Sequence, residues 1–360
     1  MNDFRPGLEG VVAFETEIAE PDREGGSLRY RGVDIEELVG HVPFEQVWGL
    51  LVDNSLTPGL EPADPYSLDG GTGNPMTDLQ ASTARLGAEW QLEKLIDISD
   101  EQAKLDLRRL SATMLSIVAQ SARLHDGHDT AVDAATVASG KTAAERFLLE
   151  WRGEADPKHV TAIDTYWICT AEHGMNASTF TARVVASTGG DCAAVLSAAV
   201  GALSGPRHGG APARVLPMLD AAAAASSVDG YVAGMLDRGE RLMGFGHRVY
   251  RAEDPRARVL RRTAKELGSP RFEVAEALEQ SALAKLAERH PDRVLATNVE
   301  FWSAVVLDVA DIPPPMTPAM FAASRTGGWS AHILEEKRTG RLIRPSARYV
   351  GPPPRHLSDV

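Results

Sequence analysis

The sequence predicts a mostly α-helical fold with little sheet, and three observations lead there. Apolar residues recur at helical spacing through most of the 360 residues. Glycine and proline breaks cut those stretches into helix-length pieces. Only one short region near the N-terminus alternates as a strand would. That region is residues 11–18, VVAFETEI, with Val12, Phe14, Thr16 and Ile18 on one face. The turn-rich PDREGG and the following SLRYRG make it one arm of a short β-hairpin.

Phe44, Val47, Leu50 and Leu51 then open the helical pattern, and residues 66–76, YSLDGGTGNPM, interrupt it as a loop. Ser99 and Gln102 form a capping-box pattern ahead of a helix carrying Leu110, Met114, Ile117 and Val118. Residues 164–187 read as helix interrupted near Gly174 and closed by Thr188, Gly189 and Gly190. Residues 193–203 form another helix, stopped by Gly205 and Pro206. Pro217 predicts a kink in ARVLPMLDAA, and the alanines from 221 onward read as a helix end. Helices follow in PRARVLRRTAKELG and RFEVAEALEQSALAKLAERH, and IPPPMTP (312–318) breaks the chain before a last helix at 319–336. No internal repeat is visible.

With 50 acidic against 37 basic residues the net charge is -13, which excludes a broad nucleic-acid-binding face. Any anion site must be local. Cys169 and Cys192, both in apolar helical surroundings, point to a reducing compartment and no disulfide framework. No apolar run suits a signal peptide or a membrane span, so a cytoplasmic protein without membrane contact is expected.

Three histidines stand in glycine-containing or polar breaks: His173 in AEHGMNAST, His208 in GPRHGGAP and His247 in GFGHRVY. One such histidine alone could simply cap a helix. The glycines beside His208 and His247 allow positive φ and close backbone approach, so those loops can wrap a ligand. A zinc site is the competing reading, but no HxxxH or HExxH pair and no Cys-x-x-Cys spacing supports it. No metal is expected.

Eight arginines lie between Arg238 and Arg262. Arg258, Arg261 and Arg262 read as a solvated helix face. Arg256 differs, because Pro255 fixes the chain just before it and a positioned guanidinium suits bidentate carboxylate recognition. Arg325 in SRTGGW and Arg344 in LIRPS are similarly placed beside turns or helix starts. Glu300, flanked by Val299, Phe301 and Trp302, is either a desolvated base or a first-turn acid favoured by the helix dipole.

Together these stretches resemble the citrate synthase family. The resemblance is carried by LRYRGVDIEEL, AEHGMNAST, GALSGPRHGGAP, MGFGHRVYRAEDPRA, TNVEFWSA, SRTGGWSAHILEE and RLIRPSARYVG, in family order over nearly the whole chain. It implies a mostly helical homodimer with shared active sites. Each chain would have a large domain (1–208 plus 312–360) and a smaller mobile domain (209–311). It implies condensation of acetyl-CoA with oxaloacetate to citrate and CoA, a step of the tricarboxylic acid cycle, with no permanently bound cofactor.

By motif position, His208 would hydrogen-bond the thioester oxygen, His247 would polarise the ketone and Glu300 would remove the methyl proton. His173, Asn176, Arg256, Arg325 and Arg344 would hold oxaloacetate, Arg344 reaching in from the partner subunit. Gly244, Gly246, Arg251 and Asn298 would meet CoA. Two departures stand out: Glu300 occupies a place where the family usually has aspartate, and Pro212 replaces its usual asparagine. A relative using propionyl-CoA, forming 2-methylcitrate, and a low-activity CoA- or dicarboxylate-binding member are the alternatives.

Overall fold

The computed structural model describes residues 4–22, 26–206, 208, 214–246, 253–292 and 295–359, and helices dominate it as predicted. His247, Arg251 and Pro212, with Gly209 at the expected domain boundary, lie outside the described residues.

The N-terminal expectation needs correction. Residues 11–18 form no strand, and the sheet begins just after them with β1 (Ala19–Pro21). It pairs with β2 (Leu28–Tyr30), which pairs with β3 (Val33–Asp34), all antiparallel, with Ala19 opposite Tyr30 and Arg29 opposite Asp34. Alternation failed as a guide because no sheet covers the apolar face: Val12 is 87% exposed. Instead the segment lies along helices. Phe14 stacks 5.9 Å from Phe180, and Thr16 Oγ1 and the Glu17 amide both donate to Glu335.

Helices follow in quick succession: α1 (Ile35–Leu38), α2 (Phe44–Asp53), α3 (Pro75–Glu89) and α4 (Asp100–His125). Ser99 caps α4 by accepting the Gln102 amide at 3.1 Å, but the Gln102 side chain turns to Asp106. Only half of the predicted box forms. After α5 (Ala134–Ala138) and α6 (Ala143–Arg152) come α7 (Pro157–Thr170) and α8 (Ala177–Ser187). They are separated, as the sequence suggested, around Gly174 at φ +61°. Next are α9 (Cys192–Leu203), α10 (Val215–Ala224), α11 (Val228–Asp237) and α12 (Pro255–Glu266). The last are α13 (Phe272–Arg289), α14 (Val299–Val309) and α15 (Thr317–Thr339). Pro217 produces no helix break, because α10 starts only two residues earlier. Within the first turn its missing N–H would have had no helical partner.

The core is organised around α15, which is buried on almost every side. It packs against α2, α4, α7, α8 and α9. Small residues make this possible: a Cβ on Gly328 would stand 2.2 Å from Glu172 Oε2. Helices α10 to α14 pack among themselves, and α12 and α14 also rest on α7. The C-terminal end of α7, the middle of α15 and the N-terminal ends of α8, α12 and α14 therefore supply the buried polar groups described next. Among the described residues no helix is long and apolar enough to cross a membrane.

Candidate active site

The start of α12 is built from a local signal. Asp254 caps the helix, Pro255 occupies its first position, and the next residue is Arg256. Asp254, fully buried, accepts from Arg256 Nε at 3.0 Å and Nη2 at 2.8 Å, and from the Arg256 amide at 3.0 Å. It also accepts the Val299 amide at 3.0 Å, tying the first turn of α14 to that of α12. Proline sets the backbone, but the aspartate holds the guanidinium. The sequence reading credited only the proline.

Arg325 comes from α15 and is 2% exposed. Its Nε donates to the Thr170 carbonyl at the end of α7 at 2.6 Å, and its guanidinium lies 4.6 Å from the Phe321 ring centroid. Nη1 is buried without a hydrogen-bond partner among the described residues. A buried guanidinium donor left unpaired is costly, which makes this nitrogen a candidate to meet an acceptor from a ligand. Burial lowers the pKa of Arg325, against the pull of Glu172. Glu172 is itself fully buried: burial pushes its carboxyl up, but His332 and Arg325 outweigh that and hold it below its ordinary range.

Glu300 is the second residue of α14, half-buried, its amide donating to the capping Asn298 side chain at 3.0 Å. The two readings of this residue meet here, since it is a first-turn acid that is also desolvated. Burial raises its pKa, with Arg256 and Arg241 pulling down and Asp254 pushing up. Tyr166 of α7 lies in the same field: burial raises its phenol, and the charges of Arg325, Glu300 and Arg256 act on it. Sequence reasoning passed over Tyr166.

Asn298 does more than cap. Its Nδ2 donates to the Gly246 carbonyl at 2.9 Å and its amide to the Gly244 carbonyl at 2.9 Å, while Gly246 N donates to Ala296 O at 2.8 Å. Phe245 and Thr297 form a bridge between them. The 244–246 loop and the helix carrying Glu300 are thus one unit. Gly244, at φ +86°, is required there, because a Cβ would lie 2.6 Å from Phe301 Cβ.

His208 stands across from α8. Its Nε2 receives the Ser178 amide at 3.3 Å and lies 2.9 Å from Ser178 Oγ, which in turn accepts from Trp329 Nε1 at 3.2 Å. An amide hydrogen can be received only by an unprotonated nitrogen, so the ring proton sits on Nδ1. Burial, then the charge of Arg325, lowers its pKa to about 4. His208 is therefore a neutral donor at neutral pH. Ser178 and Trp329, which orient it, were not picked out from sequence; they are 151 residues apart.

The remaining candidates divide. His173 is buried in the turn between α7 and α8. Asn176 caps α8: its Oδ1 accepts the Thr179 amide at 3.1 Å and Ser178 Oγ at 2.8 Å, and its Nδ2 donates to Gly174 O. It shapes the turn that carries His173 and Ser178. Arg344 is exposed in the C-terminal segment, where the Ile343 amide bonds Ser187 at the far end of α8 from His208. An eleven-residue helix spans roughly 16 Å, so the chain's own Arg344 is not among the buried cluster. The arginines read as a solvated face make cross-links instead. Arg258 bonds Glu36 of α1 at 2.6 and 2.8 Å, Arg262 reaches the same carboxylate at 3.2 Å, and Arg261 pairs with Glu253.

Comparison with known proteins gives a single direction. The family described as citrate synthase, C-terminal domain, matches residues 7–346. A Mycobacterium tuberculosis relative, provisionally named citrate synthase 2, is 60% identical over 99% of this chain and 96% of its own. The citrate synthase of Haloferax volcanii is 35% identical over 97% of this chain and 96% of its own. Among solved structures, citrate synthase of Thermoplasma acidophilum, in ternary complex with carboxymethyl coenzyme A and oxaloacetate, matches with a TM-score of 0.84. Its identity is 26%, over 98% of each chain.

Proposed function

The chain belongs to the citrate synthase family, and from that premise we propose how its residues divide the condensation of acetyl-CoA with oxaloacetate. The propionyl-CoA alternative is not favoured, since the relatives matched carry the citrate synthase name. The reaction calls for no resident cofactor; acetyl-CoA is consumed as a substrate.

Oxaloacetate places its carboxylates on Arg325, Arg256 and His173, with Arg344 supplied across the interface of a homodimer. Asn176 supports this set from the cap of α8. His247, directly following the 244–246 loop in sequence, polarises the ketone. The glycine loop, Arg251 and Asn298 receive CoA. Glu300 takes a proton from the acetyl methyl while His208 donates a hydrogen bond from Nδ1 to the thioester oxygen. A weakly acidic carbon needs base and oxygen donor together. The enol carbon then bonds to the ketone carbon, whose oxygen gains a proton. Water cleaves the resulting citryl thioester, and CoA leaves as the thiol. Closure of a small domain, residues 209–311, keeps water out until the carbon–carbon bond exists.

The observation that carries this reading is the shared field of Glu300, Arg256 and Arg325. A carboxyl raised by burial sits beside a buried arginine, near a second whose Nη1 awaits an acceptor. The test is thiol release from acetyl-CoA and propionyl-CoA, with and without oxaloacetate. Release is expected only with oxaloacetate, and faster with the acetyl thioester. No release from folded protein with either thioester would leave only the low-activity binding member. Glu300→Gln should cut the rate by about 10²–10⁴-fold with oxaloacetate affinity nearly intact, because the amide keeps the shape but accepts no proton. Glu300→Asp should also slow the reaction, as the shorter side chain falls short in a site adapted to glutamate. An unchanged rate in Glu300→Gln would remove Glu300 from the role of base.

A further inference from the structure

Behind the anion site lies a buried polar chain to which the reaction above gives no role. Along α15, Arg325, Gly328, His332 and Glu336 follow at spacings that place them on one face. Glu172 lies against that face. Its Oε2 occupies the notch left by Gly328, where a Cβ would come within 2.2 Å, and its Oε1 is 3.2 Å from His332 Nε2. Arg183 donates to His332 Nδ1 from Nε at 3.1 Å, with Nη2 at 2.9 Å, so the ring proton of His332 is on Nε2 and faces Glu172. Arg183 also pairs with Glu336 at 2.9 Å and with Glu335. Glu172, Arg183, Arg325, His332 and Glu336 are each 2% exposed or less, while Glu335 is partly exposed.

The charge on Glu172 needs a reason, because the donors it meets in full burial are few: His332 Nε2 at 3.2 Å and the backbone of His173. A buried carboxylate in that condition is unfavourable unless a positive charge needs it. Arg183 already has Glu335 and Glu336. Arg325 has no carboxylate within ion-pair distance among the described residues, yet it is as deeply buried. We infer that Glu172 is the internal counter-ion of Arg325, and that its charge limits how tightly the site holds a dianion. It acts through the field rather than through contact, so it balances Arg325 without occupying Nη1. An incoming carboxylate therefore meets a free donor but also a fixed negative charge behind it. Glu172 is a positioning residue, since it touches no reacting atom.

The inference rests on the oxaloacetate reading, and the two can fail separately. Oxaloacetate binding is measured by calorimetry on the full-length wild type, Glu172→Gln and Glu172→Asp, with acetyl-CoA as the control ligand. Removing the charge should tighten oxaloacetate by about tenfold, an electrostatic effect of one partly screened charge. The KM for oxaloacetate should fall while that for acetyl-CoA stays put, and Glu172→Asp should return to near wild-type affinity. A merely structural role has the opposite sign: Glu172→Gln would loosen the turn bearing His173 and weaken oxaloacetate. That outcome, or no change, overturns the inference. Should Glu172→Gln be recovered unfolded, refolding it with and without oxaloacetate decides the matter. A dianion that replaces the lost counter-ion should restore folded protein, and equal recovery in both overturns the idea. Wild type that binds no oxaloacetate removes the functional reading, and the counter-ion proposal falls with it.

Discussion

Arg256 and Arg325 are equally buried, are assigned to one proposed site and are held in opposite ways. Arg256 is clamped through two nitrogens by Asp254, a residue two positions away that also fastens α14. Arg325 gives one nitrogen to a carbonyl and leaves another unpaired among the described residues, with its balancing carboxylate out of hydrogen-bond reach. A bidentate pair supplies rigidity and fixes a direction. An under-satisfied guanidinium supplies binding capacity. On the proposed function Arg256 would be part of the frame as well as the site, whereas Arg325 would be the receptor, and substitutions should separate the two.

The largest effect is expected from Arg256→Ala. It strands Asp254 in the interior, and breaking a buried pair from one side costs about 3–5 kcal/mol. Thermal unfolding should show this directly, with oxaloacetate binding lost as well. A melting temperature equal to wild type would mean that the clamp is not structural. Next comes Arg325→Met, which removes a charge-assisted partner worth about 1.5–3 kcal/mol, or roughly 10–100-fold in oxaloacetate affinity. Its loss of stability should be smaller than that of Arg256→Ala, because His332 remains beside Glu172, and acetyl-CoA affinity alone should hardly move. If Arg325→Met unfolds as readily as Arg256→Ala, the contrast between frame and receptor is wrong.

The smallest effect sharpens the electrostatic side. The charge of Arg325 contributes to holding His208 at a pKa of about 4, below the ordinary histidine value of 6.5. Between those values the unfolded chain binds a proton that the folded site refuses. Stability from this residue is thus complete above about pH 6.5 and is lost as pH falls towards 4. In His208→Gln the unfolding free energy should depend less steeply on pH across that window. In Arg325→Met the His208 pKa, followed by NMR titration, should rise. A His208 that titrates at its ordinary value in the wild type would contradict the neutral-donor role.

How much of this was legible beforehand follows from the range of each interaction. The break at Gly174, the helix at 193–203 and the cap at Ser99 depend on neighbours within a turn, and they appear where the residues suggested. Arg256 was also visible, although the nearer signal was Asp254, an N-cap acid directly before a proline. The 11–18 strand was misread because alternation records only which residues are apolar, not what covers them. Phe14 found Phe180 and Arg183 on a helix instead of a partner strand.

By itself the sequence determined the helices, their caps, the glycines that allow the 244–246 loop and the set of histidines and arginines assigned to the proposed chemistry. These are properties of local backbone preference and side-chain type, and both survive without the fold. Only the tertiary structure decided their states. It placed Ser178 and Trp329 behind His208 to choose its tautomer. It desolvated Glu300 beside Arg256, and it set Glu172 in the notch at Gly328, 156 residues on. Protonation and pairing depend on burial and on charges a few ångströms away. In this chain those charges come from segments that meet only when the helices pack.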